Sequence, residues 1–136
     1  MKIIKLIFFI IILIVNKILF SQNNDELIVR ANQLVAVEKY WEAIKIYDEI
    51  IKNDPFNAKN FNSRGVIKER AGETNGAIED YSFAIMYDKN FSLAYHNRGT
   101  LYLSVGQNEK ACSDFEKALS LGYSRSRRLY EQYCKK

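Results

Sequence analysis

Two consecutive stretches decide the reading of this chain: Ala58–Phe91, AKNFNSRGVIKERAGETNGAIEDYSFAIMYDKNF, and Ser92–Arg125, SLAYHNRGTLYLSVGQNEKACSDFEKALSLGYSR. Laid one above the other they agree at an offset of 34 residues. Phe61 falls over Tyr95, Arg64-Gly65 over Arg98-Gly99, and Gly72 over Gly106. Ala77 falls over Ala111, Tyr81 over Phe115, Ala84 over Ala118 and Ile85 over Leu119. Small residues at Gly65, Gly99, Ala77 and Ala111 suit places where two antiparallel helices cross, because only small side chains let backbones approach. Phe61/Tyr95 and Tyr81/Phe115 are the large residues that fill the gaps beside them. Self-similarity at such a period marks a stacked repeat architecture.

A weaker third copy precedes these two. Ala43 lies 34 residues before Ala77, Tyr47 before Tyr81, Ala31 before Gly65 and Arg30 before Arg64. Leu27, Ala31 and Leu34 form one apolar helical stripe, and Ile44, Tyr47 and Ile51 form its partner. Asp54-Pro55 stops the second helix, since a residue before proline is pushed out of the α region. This copy departs from the others at Glu38, where they have Gly72 and Gly106, and at Ile50, where they have Ala84 and Ala118. In the later copies the first helix (A) is expected over about residues 58–71 and 92–105, ended by Gly72 and Gly106. The second helix (B) is expected over 74–87 and 108–121, with Thr74 and Asn108 as N-caps. Beyond Gly122, residues 126–136 read as a last helix. Its Leu129, Tyr130 and Tyr133 would cover the end of the stack, with Arg127, Arg128, Lys135 and Lys136 facing water.

The spacing, residue sizes and turn chemistry together resemble the tetratricopeptide repeat. The resemblance covers residues 24–125 as three copies (24–57, 58–91 and 92–125) plus a capping helix at 126–136. Lys89 stands where that family usually has proline. The resemblance implies an all-α fold, an α-solenoid of helix–turn–helix units wound into a right-handed superhelix. It also implies a concave groove lined by the A helices that binds a protein or peptide partner. Carried over to this chain, the groove would hold Ile28, Asn32, Asn62, Val66, Glu69, Arg70, His96, Asn97, Thr100 and Leu103. Asparagine suits the role, because a side-chain amide both donates and accepts and so pairs with a ligand backbone. Chaperone-binding members hold a C-terminal carboxylate with a clamp that includes two lysines and two asparagines. The matching positions here are Ile28, Asn32, Ser63, Leu93 and Asn97. Only Asn32 fits, which argues against that clamp and against a cytosolic co-chaperone role.

The first 21 residues are a separate object, joined to the repeats by a polar linker at Gln22–Asn24. Lys2 and Lys5 start them, Leu6–Val15 is an unbroken apolar run, and Ile18-Leu19-Phe20-Ser21 follows. This reads as a secretory signal peptide cleaved after Ser21. Leu19 is large for the −3 position, and the alternative is an uncleaved membrane anchor with Lys5 and Lys17 reaching the interfaces. Either way the repeats are expected outside the cytoplasm, in the periplasm, at the cell surface or secreted. The net charge of +4 includes Lys2, Lys5 and Lys17 of this leader, and the remaining basic excess lies in the tail. Basicity confined to a leader and a tail does not make a nucleic-acid-binding face.

No phosphate-binding glycine loop or nucleophile elbow appears, and the chain is not expected to be an enzyme. No cofactor and no metal are expected either: His96 is the one histidine, without ligand partners at metal spacing. Two rivals to the binding module are a structural subunit that self-assembles through repeat edges and a small hydrolase using His96. Asn90-Phe91-Ser92 matches a glycosylation acceptor, which matters only in a eukaryotic host. Cys112 and Cys134 form either a disulfide that pins the cap, as two cysteines in an exported chain suggest, or two buried thiols.

Overall fold

The computed structural model describes residues 2–135, and at 20–22 the backbone alone. Seven α-helices follow in order: α1 Lys2–Ala36, α2 Tyr40–Asn53, α3 Ala58–Arg70, α4 Thr74–Tyr87, α5 Ser92–Ser104, α6 Asn108–Ser120 and α7 Arg127–Tyr133, with a 3-10 turn at Ser124–Ser126 before the last. The described residues contain no strand. α1/α2, α3/α4 and α5/α6 pack as antiparallel pairs, and each pair stacks on the next through α2 with α3 and α4 with α5.

The glycines set how closely each pair packs. A Cβ on Gly65 would lie 2.8 Å from Cε1 of Tyr81, and one on Gly99 would lie 2.9 Å from Cε1 of Phe115. Both distances are below van der Waals contact, so the A-helix backbone lies directly on the ring of its partner helix. Tyr81 and Phe115 are fully buried as a result. The nearest neighbours of Gly99 are therefore Phe115 and Asp114, rather than Ala111.

Stacking of one pair on the next uses a second repeated device. Arg64 donates from Nε and Nη2 to both oxygens of Asp80, at 2.8 and 2.6 Å, and from Nη1 to Asp48 of the preceding pair at 2.7 Å. One repeat later Arg98 donates in the same way to Asp114, at 2.8 and 2.8 Å, and to Ser82 of the preceding pair at 3.0 Å. Lys68 adds a second cation to Asp80 at 3.0 Å. The carboxylates of Asp80 and Asp114 are almost wholly buried, and the bidentate guanidinium satisfies them there.

Every A helix that leads into a B helix ends the same way. Glu73 N–H donates back to Lys68 O at 2.8 Å, Gln107 to Tyr102 at 2.8 Å, and Lys39 to Leu34 at 2.9 Å. These six-to-one closures require a left-handed residue just before the donor. Gly72 and Gly106 supply it with φ of 81° and 77°, and in the first copy Glu38 adopts φ 60°. Thr74 and Asn108 are the first residues of their helices, not their caps. The N-cap residues are Glu73 and Gln107, without a side-chain cap bond. The closure already fixes the chain there, leaving no free turn for a capping side chain.

Two expectations at the chain ends are corrected. The polar stretch at 22–24 does not separate leader from repeat, because α1 runs unbroken through it. No glycine or proline lies between residues 2 and 36 to interrupt the helix. At the other end α7 is only 7 residues long and buries no side chain fully; Leu129 and Tyr130 are half-buried and Tyr133 is 45% exposed. The cap is held instead by buried Ser126 and by a disulfide from Cys112 on α6 to Cys134, which closes a loop of sequence separation 22. Such a closure contributes about 3 kcal/mol on chain-entropy grounds. Lys136 lies outside the described residues.

Glu38 supplies a direct check. A left-handed conformation costs an L-residue about 1–2 kcal/mol, and glycine escapes this while losing more chain entropy. Glu38→Gly is expected to raise the stability of the protein by about 1 kcal/mol, read as a higher midpoint in thermal or urea unfolding.

Candidate protein-binding groove

The A-helix face is built from α1, α3 and α5. Ile28, Asn62 and His96 occupy one equivalent position in the three copies, and all three turn into seams between successive helices. Ile28 is half-buried against the first core cluster. Asn62 is buried, and its Oδ1 accepts from Asn97 Nδ2 of the next A helix at 3.2 Å. His96 Nδ1 lies 2.9 Å from Ser126 Oγ, which stands where a fourth A helix would begin. These three residues and Asn97 therefore tie the floor of the groove together.

The open part of the face lies one turn further along. Between α1 and α3 a cleft of about 270 Å³ is lined by Asn32, Val35, Asn62, Val66 and Arg70, with Tyr47 and Ile67 beneath. Asn32 and Arg70 are exposed and Val66 is half-buried. Sequence reasoning missed Val35, Tyr47 and Ile67 as lining residues. The offset to known groove positions marks only the A-helix face, whereas Tyr47 reaches the cleft from α2. Two candidates are engaged elsewhere. Glu69 accepts from the Tyr81 hydroxyl at 2.8 Å, and Thr100 donates to the His96 carbonyl at 2.9 Å. Burial and the adjoining Glu69 carboxylate push the Tyr81 hydroxyl far above its ordinary pKa, so it remains a donor. Leu103 is half-buried on α5.

His96 does not form a catalytic arrangement with its serine. Ser126 is fully buried, so its hydroxyl meets no substrate. The imidazole packs on Tyr123 and Phe115, with ring centroids 4.9 and 6.0 Å away. Burial first, and the charge of Arg125 second, hold its pKa below the ordinary value. Among the described residues no group of three or more His, Cys, Asp or Glu side chains is placed to hold a metal ion.

A stack of paired helices with one continuous A-helix face defines an α-solenoid. A family profile described as tetratricopeptide repeat matches residues 93–121, most of the α5/α6 pair. The second TPR of Spaghetti (RPAP3), solved bound to an HSP90 peptide, is 30% identical with a TM-score of 0.67, over 72% of this chain and 91% of that one. DnaJ homolog subfamily C member 7 of Homo sapiens is 31% identical over 97 residues, 71% of this chain but 19% of its own length. The chain thus spans about a fifth of that relative. The Yersinia enterocolitica secretion chaperone SycD, solved with a peptide of the translocator YopD, shares the fold at 19% identity with a TM-score of 0.75, covering 80% of this chain and 90% of its own. The chain belongs to the tetratricopeptide-repeat family.

The seam histidine gives a pH prediction. Its folded pKa lies below the unfolded value near 6.5, so the unfolded chain binds the extra proton first. The stability His96 contributes is fully present above that pH and declines as pH falls below it. The melting temperature should drop between neutral and mildly acid pH, and His96→Gln should flatten that part of the profile.

Proposed function

We propose that this chain is a non-catalytic protein-binding module that holds a peptide or protein segment along the α1/α3/α5 face. The observation that carries this is the cleft between α1 and α3, where amide, guanidinium and apolar side chains meet over Tyr47 and Ile67. Amides of this kind pair with the backbone of an extended ligand, while Val35 and Val66 offer apolar contact. The matched RPAP3 and SycD domains were both solved with peptides, which supports the same use here. The position of Ile28, half-buried against the core, speaks against a lysine-type clamp for a terminal carboxylate.

The module acts outside the cytoplasm in this reading, carried there by the N-terminal segment. Both forms that segment can take, a leader cleaved after Ser21 and a retained anchor, are compatible with α1. It is long and apolar enough to cross a membrane, with the side chains of residues 3–19 exposed on every side. Among the described residues no other part of the chain covers that apolar surface, and lipid would.

Site-specific crosslinking tests the groove. A photoreactive residue at Val66, in the cleft, should capture a discrete partner in native cells. One at Glu79, exposed on α4, should not. Identical capture patterns from both positions, in a folded protein, would remove the groove reading.

A further inference from the structure

The direction of α1 sets which end of the repeat stack faces a membrane. The segment 3–20, apolar apart from Lys5, Asn16 and Lys17, is 18 residues, about 27 Å of helix, against a hydrocarbon thickness of about 30 Å. The same helix continues without a break as the first A helix. Every A helix therefore starts, and every B helix ends, on the side from which α1 arrives. The turns on that side are the α2–α3 turn, Asp54–Asn57, and the α4–α5 turn, Asp88–Phe91. Their level along α1 is fixed by a hydrogen bond, because Asn53 Nδ2 at the end of α2 donates to Asn24 Oδ1 at 3.2 Å. Asn24 lies four residues past Phe20, a rise of about 6 Å. The headgroup layer occupies about 5–7 Å on each side of the hydrocarbon. The turns thus fall at headgroup depth.

Those turns carry side chains suited to that depth. Phe56 is 73% exposed, where the next two copies have Asn90 and Ser124. Met86 is also exposed, and Tyr87 stands edge-on to Phe56 with ring centroids 5.6 Å apart, joining the two turns in one patch. Lys59 and Lys89 flank the patch and are exposed. The two acids of the turns are hydrogen-bonded within their own loops: Asp54 accepts from Asn57 at 2.8 Å, and Asp88 from the Asn90 N–H at 2.9 Å. Aromatic side chains with lysines beside them are the composition of a membrane–water interface.

We infer that the turn end of the solenoid, centred on Phe56, Met86 and Tyr87, docks on the surface of the bilayer that α1 enters. The inference rests on α1 being retained as an anchor. Docking holds the stack upright against the membrane and points the opposite end, where Trp41 lies, away from it. With α2 of 14 residues, Trp41 and Phe56 are separated by about 20 Å along the helix axis.

The test uses the full chain in phosphatidylcholine/phosphatidylglycerol vesicles, with phosphatidylcholine brominated near the carbonyl end of its acyl chains as quencher. The native fluorophore Trp41 should keep its emission. A Phe56→Trp substitution in a Trp41→Phe background should lose most of its emission and shift to the blue; both positions are exposed, so the fold tolerates the change. Equal emission with and without bromine at position 56, in a chain that floats with the vesicles, overturns the docking and leaves the anchor standing. A full chain that fails to float with vesicles overturns the anchor and the docking together.

Discussion

The close approach of a glycine backbone to an aromatic ring is the constraint on which the rest of this structure depends. At Gly65 and Gly99 the A helix lies against Tyr81 and Phe115 at distances that leave no room for a Cβ. The neighbouring residue in each case is an arginine, and this adjacency matters. With the glycine pressed on the B helix, Arg64 and Arg98 are set over Asp80 and Asp114 and still reach Asp48 and Ser82 of the preceding pair. One dipeptide thus fixes both the packing inside a pair and the stacking between pairs. A buried guanidinium–carboxylate pair adds little net stability over a good apolar contact. Its value here is in register, since the three-way geometry is satisfied only when consecutive pairs sit in one orientation.

Much of this was legible in the sequence, because the crossing residues are small and the offset of 34 is strict. Gly65, Gly99, Tyr81, Phe115 and the turn glycines could be read without coordinates. The Arg–Asp pairs were half visible. Arg30, Arg64 and Arg98 recur at the same offset, and so do Asp80 and Asp114, but the first copy has Ile46 where the acid belongs. Periodicity also gives no sign of which exposed-looking charges turn inward. The same limit applies to the groove. Ile28, Asn62 and His96 share a repeat position, and what distinguishes them is the next helix, which for His96 is a cap ending in Ser126 rather than a true repeat. Thr74 and Asn108 have the chemistry of N-caps, but a backbone closure through Glu73 and Gln107 takes that place.

The continuity of α1 links fold to function. The helix that carries the apolar segment is also the first repeat helix; it packs on α2, and α2 is tied to the next pair by Arg64 on Asp48, as that pair is to the third by Arg98 on Ser82. The direction of the A-helix face relative to the apolar segment is thereby set by the chain itself. The disulfide from Cys112 to Cys134 closes the far end, where α7 is too short to cover the stack by apolar burial. The chain is therefore organised at one end by a helix and at the other by a crosslink, with the A-helix face between.

The most direct measurement compares two glycine-to-alanine substitutions in helices. In an open helix interior, alanine is about 1 kcal/mol more favourable than glycine. At Gly76 a Cβ meets only the flexible side chains of Lys68 and Glu73, at 3.3 Å or more, so Gly76→Ala should raise the unfolding midpoint. At Gly99 the rigid ring of Phe115 stands at 2.9 Å, so Gly99→Ala should lower it despite the propensity gain, by about 1–3 kcal/mol. Pairing it with Phe115→Leu should cost less than the two changes summed. A Gly99→Ala protein that gains stability as Gly76→Ala does would contradict the account, because the helices would not then meet where the repeat requires.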